Sequence, residues 1–184
     1  DYAVFSGMVA TMVKAIREAL PHLPGGDRTK VGFVTFDSRV TMYGLNGSSP
    51  KAFSVGDVDE AGFLPIGADT CLVNLKHARQ AVDKLLDIFE AIYAPDKANS
   101  VSASQETCYG PAIRMAGDVG KQWGCRILSF VSSLSRVGTG FSCTNREQEL
   151  GKLVGSENES NLFRGGSKTD GFKKLGIDLS KSQI

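Results

Sequence analysis

The run Lys30-Val31-Gly32-Phe33-Val34-Thr35-Phe36-Asp37 constrains this chain more than any other stretch. Residues 31–36 are apolar or β-favouring, include a glycine and carry no charge. Six residues between Lys30 and Asp37 are too few for a helix, which needs about 10–12 residues of pattern. The unbroken apolar character predicts a strand buried on both faces. A strand of that kind requires helices on each side of an open sheet.

The flanking sequence supplies them. Met8, Met12, Val13, Ile16 and Leu20 recur at spacings of three and four, with Lys14, Arg17 and Glu18 on the wet side. Ser6 is the expected N-cap, and Pro21, Pro24, Gly25 and Gly26 end the helix. After Asp37-Ser38, residues 39–45 place Val40 and Met42 in alternation with polar positions. That is a hairpin signal and predicts an antiparallel strand at the sheet edge. A weak short strand is expected at 52–55. A long helix is expected at 72–93, with Leu72, Leu75, Val82, Leu85, Leu86, Phe89 and Ile92 on one side and Asp83 and Asp87 outside. Residues 94–104 are small and polar. A further helix at 105–119 carries Pro111 in its first turns. Residues 125–131 read as a second sheet strand, 132–166 as a long glycine-rich loop of the kind that is usually functional, disordered or partly helical, and 168–179 as a closing helix. Ile127, Leu128 and Phe130 should then share a sheet with Val31, Phe33, Val34 and Phe36.

This order predicts an α/β, Rossmann-like open sheet, mostly parallel, with one antiparallel edge strand and helices on both faces. Residues 1–184 form one domain by length. The strand that normally feeds the first helix is not found from Asp1 onward, and another strand could begin at Ile184. The chain therefore reads as a piece that lacks its first strand.

The 21 basic and 20 acidic residues nearly cancel, which argues against a nucleic-acid binder that works through a general basic field. No apolar run approaches the ~18 residues of a membrane span, and no secretory leader is seen. Cys71, Cys108, Cys125 and Cys143 include no CxxC pair, and the only histidines are His22 and His77, so a zinc site is not expected. Their wide spacing predicts reduced, mostly buried thiols in a cytosolic protein. No nucleophile elbow is present, and neither histidine has a serine or cysteine partner near it in sequence, so an enzyme is not expected. Residues 25–30 hold glycine and lysine but precede a strand, which makes them a turn and not a phosphate loop. Gly138-Thr139-Gly140 follows a strand, on the side where open sheets bind ligands, but lacks a third glycine.

The predicted sheet order is shared with the von Willebrand A-type fold. Its metal site takes an Asp-x-Ser-x-Ser, a threonine from a second loop and an aspartate after a later strand, hard oxygen ligands that suit magnesium. Asp1 is followed by Ala3 and Phe5, so the first motif fails. Thr70 could serve as the threonine, but Ser132 and Ser133 bring no carboxylate. No divalent cation is expected there.

Several strings carry a family resemblance. They are Ser6-Gly7-Met8-Val9-Ala10-Thr11, the run from Lys30 through Ser38, Phe63-Leu64-Pro65, and Leu72-Val73-Asn74-Leu75-Lys76 with Arg79. Glu106-Thr107-Cys108-Tyr109-Gly110-Pro111-Ala112, Ser132-Ser133-Leu134 with Gly138-x-Gly140, and Asp170-x-Phe172-Lys173-Lys174-Leu175 follow in order. Together they resemble the trunk domain of the cargo-adaptor subunit of the COPII coat, the Sec24 family. The resemblance implies a von Willebrand A-like trunk without catalytic activity. It implies a cytoplasmic coat subunit, peripheral at endoplasmic reticulum exit sites and vesicles, that pairs with the Sec23 subunit and selects cargo and SNARE sorting signals. It implies no cofactor in this piece, with zinc confined to a separate upstream module. Ser135 stands where the family has a proline, Ser142 where it has a leucine, and Arg146-Glu147 falls one residue late. Arg136 and Arg146, in the long loop, are the candidates for carboxylate-bearing signals, because a guanidinium makes bidentate bonds. The rival reading is a metal-dependent adhesion module of the von Willebrand A type. A small hydrolase or nucleotide enzyme is disfavoured by the missing motifs.

Overall fold

Gly7 opens the first helix in a left-handed conformation (φ 70°) that glycine adopts without strain. The computed structural model describes residues 7–59, 64–93, 106–143, 152–157, 159 and 170–184. Helix α1 is Met8–Ala19; Ser6, the expected cap, lies outside the described residues. A single 3-10 turn, Leu20–His22, with proline at its second position, ends it.

The central run forms two short strands. β1 (Lys30–Val31) and β2 (Val34–Phe36) are separated by Gly32 and Phe33. A side chain at position 32 would meet the Cys71 carbonyl at 2.9 Å, so the glycine admits the neighbouring backbone. β2 continues through a hairpin into β3 (Val40–Gly44), and β3 pairs with β4 (Lys51–Val55), all antiparallel. The strand expected at the edge is thus the middle one, and the weak strand takes the edge. β2 is half-buried, not covered on both faces; β3 is the buried strand.

A short helix α2 (Ala68–Cys71) and β5 (Val73–Asn74), antiparallel to β1, precede the long helix α3 (Leu75–Ile92). This helix starts three residues later than periodicity predicts. Asn74 caps it, its Oδ1 accepting the N–H groups of Lys76 (3.0 Å) and His77 (3.3 Å), while its Nδ2 donates to the Asp27 carbonyl at 2.6 Å. Helix α4 is Tyr109–Gly120 and helix α5 is Asp170–Lys181.

β3 divides the core. Tyr43 and Leu45 face α1 and α3, packing with Val13, Val82, Leu85, Leu86 and Phe89. Val40 and Met42 face the other way, onto Cys108, Ala112, Met115 and Val119 of the α4 side. Helices therefore pack on both faces of β3. Phe33 and Val31 pack on the first cluster, and Val34 and Phe36 on the second. Arg17 of α1 pairs with Asp87 and approaches Asp83 (3.8 Å) and Glu90 (3.7 Å), tying the wet sides of α1 and α3 together.

Two expectations are not met among the described residues. Every ladder among the described residues is antiparallel. Residues 124–131 run without regular structure, and Leu128 is 78% exposed. Phe130 and Val131 are also exposed. High β-propensity does not make a strand without a neighbour to accept its hydrogen bonds, and no described residues pair with this segment. No described helix is long and apolar enough to cross a membrane.

Candidate functional site

The strand ends and the first turn of α4 meet at Thr107 and Cys108. The Cys108 N–H donates to the Asp37 carbonyl at 2.8 Å, fixing the end of β2 to the start of α4. The Asp37 carboxylate accepts the Arg39 N–H at 2.7 Å and holds the hairpin turn. Thr107 is buried, and its hydroxyl shares a 2.8 Å hydrogen bond with that of Ser133. Its carbonyl accepts three donors: the N–H of Arg136 (2.8 Å), the N–H of Val137 (3.2 Å) and the hydroxyl of buried Ser135 (3.3 Å). The Cys143 N–H closes the loop on the Ser135 carbonyl at 2.7 Å. The described part of the long loop is therefore pinned at one residue.

Gly138-Thr139-Gly140 is a turn with φ of 108° at Gly138 and 80° at Gly140. Its glycines admit close neighbours: a side chain at Gly138 would meet the Pro111 ring at 2.6 Å, and one at Gly140 the Gly171 backbone at 3.2 Å. Buried Phe141 lies where a side chain at Gly110 would be, and its ring crosses that of Phe172 edge-on at 5.0 Å. The Gly171 N–H donates to the Gly140 carbonyl at 2.9 Å, which joins α5 to the turn. Arg114 stacks its guanidinium on Phe141 (5.7 Å) and donates to the Val58 carbonyl (3.1 Å). Thr139 N–H donates to the Asp59 carboxylate at 2.5 Å. The ligand-loop reading of this Gly-x-Gly gives way to a packing role.

Of the sequence-predicted site residues, Arg136 sits in this pinned loop with its side chain exposed. Arg146 lies outside the described residues. Thr70 joins neither. Its carbonyl accepts the Leu45 N–H (3.1 Å), and its hydroxyl accepts from Asn46 (3.5 Å). Thr107, not Thr70, is the threonine that meets the serines after residue 131. The Glu106-Thr107 pair ahead of Gly-Pro-Ala was the available signal. No group of three or more His, Cys, Asp or Glu suited to a metal exists among the described residues.

Two thiols are held in their protonated form by burial. Burial, helped by the nearby Asp37 charge, pushes Cys108 up to about 12, and burial alone pushes Cys71 up to about 11. Thiolates, the nucleophilic form, are scarce at neutral pH under those conditions. His22 and His77 are both exposed, and His77 supplies its backbone N–H to the α3 cap.

Fold and loops together define a class: a mixed α/β domain whose strand-end loops are cross-tied to a helix start and present side chains from a fixed backbone. The chain belongs to the Sec23/Sec24 trunk-domain family, whose model matches residues 2–184. It is 37% identical over 184 residues to the protein transport protein SEC24 A of Arabidopsis thaliana, across 99% of this chain and 17% of that protein. It is 32% identical over 186 residues to the protein transport protein sec24 of Schizosaccharomyces pombe, across 99% of this chain and 19% of that one. The chain thus spans less than a fifth of the length of these relatives. The crystal structure of the human COPII-coat protein Sec24c has the same fold, with a TM-score of 0.77 at 22% identity over 99% of this chain and 24% of that one.

Proposed function

We propose that this chain is the trunk of a COPII cargo-adaptor subunit, a binding module and not an enzyme. In this reading it pairs with a Sec23 coat subunit and presents Arg136 and Arg146 to acidic cargo and SNARE sorting signals. It works in the cytoplasm, peripheral to the membrane at endoplasmic reticulum exit sites, with no nucleic-acid partner and no cofactor of its own. The trunk-family match to residues 2–184 supports the coat assignment. The observation that carries the cargo role is the Thr107 carbonyl with its three donors, which fixes the backbone of Arg136 and leaves its side chain in solvent.

The von Willebrand A-like sheet is part of the same proposal, for the complete single domain. Lys30 sits over the Trp123 ring at 4.2 Å, and Asp37 and Ser133 are joined through Cys108 and Thr107. Residues 30–37 and 123–133 are thus held near each other at both ends, running the same way, with no ladder between them among the described residues. One added parallel strand would satisfy both open edges.

The test uses the full-length parent. Titration with acidic signal peptides should give micromolar affinity, about −8 kcal/mol or weaker. Arg136→Ala or Arg146→Ala should remove about 2–5 kcal/mol if the guanidinium is desolvated in the complex. If both variants keep wild-type affinity for every acidic peptide the parent binds, the loop is not the cargo site. Co-purification with the Sec23 subunit tests the coat pairing separately.

A further inference from the structure

The helical glycines of α4 and α5 have a packing reason, with one exception. Side chains at Gly110, Gly117 and Gly120 would run into Phe141, Leu179 and Cys125, and one at Gly171 would meet the Gly140 carbonyl at 2.6 Å. Gly176, in the middle of α5, is different: beyond its own helix backbone and chain neighbours, no atom of the described residues lies within 4 Å of where its Cβ would be. Its backbone is right-handed helix, where glycine is less stable than alanine and offers no conformational benefit. What it does provide is a dent. Gly176 and Ser180 form the floor of a shallow groove, with Phe172 and Ile177 as its apolar sides and Lys173 and Lys181 completing its lining.

The groove has a charge pattern. Lys173, Ile177 and Lys181 follow one another at intervals of four, so they form one line along the outside of the helix. Ile177 is 48% exposed, and Lys181 has only a long 3.9 Å approach to Asp178. Eight residues of helix span about 12 Å. An extended peptide covers about 13 Å in four residues, and its residues 1, 3 and 5 point to one side.

We propose that the outer face of α5 docks an extended peptide of the pattern acidic–x–apolar–x–acidic. The apolar side chain enters the dent over Gly176 beside Ile177, and the two carboxylates pair with Lys173 and Lys181. A peptide fits better than an anionic membrane. A membrane helix needs a broad apolar face, whereas the one large apolar side chain exposed on this helix is Ile177, set between two lysines, and Asp178 shares the exposed surface. The proposal does not rest on the Arg136 reading, which uses a different loop.

The probe is fluorescein-labelled Gly-Glu-Thr-Leu-Thr-Glu-Gly, titrated into the chain at low salt and followed by anisotropy and by amide shifts. Exposed ion pairs are weak, so the expected Kd is about 0.1–1 mM. The double variant Lys173→Glu/Lys181→Glu should weaken binding at least tenfold. Gly176→Leu, which fills the dent, and Ile177→Lys should do the same, with unchanged circular dichroism. Arg136→Ala should bind as wild type, which separates this site from the proposed cargo loop. Saturable binding with those losses supports the site. Absence of saturable binding, or affinity retained in either the charge-reversed or the Gly176→Leu protein, overturns it. Co-sedimentation with phosphatidylserine vesicles in place of peptide binding also overturns it, in favour of a membrane contact.

Discussion

Replacing Gly110 with alanine puts a methyl group where the Phe141 ring now lies. Phe141 has little room to retreat. It is 3% exposed, a side chain at Gly171 would lie only 3.0 Å from it, and the Phe172 and Arg114 side chains cover it. The methyl must therefore expel the ring or distort the first turn of α4. Overpacking that the structure absorbs costs about 1–3 kcal/mol, and full loss of a buried phenylalanine costs about 3–5 kcal/mol. We expect Gly110→Ala to cost about 3–5 kcal/mol in urea unfolding, since the neighbouring glycines leave no second pocket. The decisive measurement is a double-mutant cycle. In the Phe141→Ala background the new methyl has space, and alanine is the better helix residue, so Gly110→Ala should there be neutral or stabilising by up to about 1 kcal/mol. The coupling energy should exceed about 2 kcal/mol. A cost below about 1 kcal/mol in the wild-type background, or an equal cost with Phe141 removed, refutes the account of Gly110 as the seat for this ring.

Asn74→Ala removes the α3 cap and the bond to the Asp27 carbonyl and should cost about 1–2 kcal/mol, read as a shift in urea midpoint; Asn74→Ser, which keeps a cap, should cost less. The raised Cys108 gives a pH signature. A thiol whose folded value lies above its ordinary value of 9.0 stabilises the fold fully below pH 9, and that contribution is lost as pH rises toward about 12. Unfolding free energy should therefore fall between those limits. Cys108→Ala should flatten that fall, and an unchanged slope would exclude this thiol as its source.

Where the sequence could be read, the signal was periodic and the neighbour local. Val40 and Met42 alternate because one face of β3 meets α4, and the hairpin pairing follows from the three residues, Asp37, Ser38 and Arg39, that link it to β2. Val82, Leu86 and Phe89 recur at helical spacing because α1 covers that face. The misread parts depend on contacts between distant residues. Leu72 continues the apolar spacing of α3, but Asn74 stops it by capping, a preference visible in the residue type. Gly138 and Gly140 look like a ligand loop because glycine signals a close approach without naming what approaches; here it is the Pro111 ring and the backbone of Gly171. The Thr107–Ser133 contact joins residues 26 positions apart, and neither residue alone distinguishes a loop tie from a ligand. Residues 125–131 have strand composition, but composition cannot supply the second strand.

That segment also gives the isolated chain a concentration problem. Ile127, Leu128, Phe130 and Val131 lie within one short stretch, broken only by Ser129 and with no proline. Two copies aligned head to tail would set Ile127 opposite Phe130, an aromatic–aliphatic pair that favours strand pairing. Dilution keeps such stretches apart; expression at high level brings them together, and the pairing competes with whatever covers the edge in the complete polypeptide. Arg126 is the one charge in the stretch and the only gatekeeper against that association. Solubility of this chain at high concentration should therefore depend on whether residues 127–131 stay covered, as well as on the stability of the core.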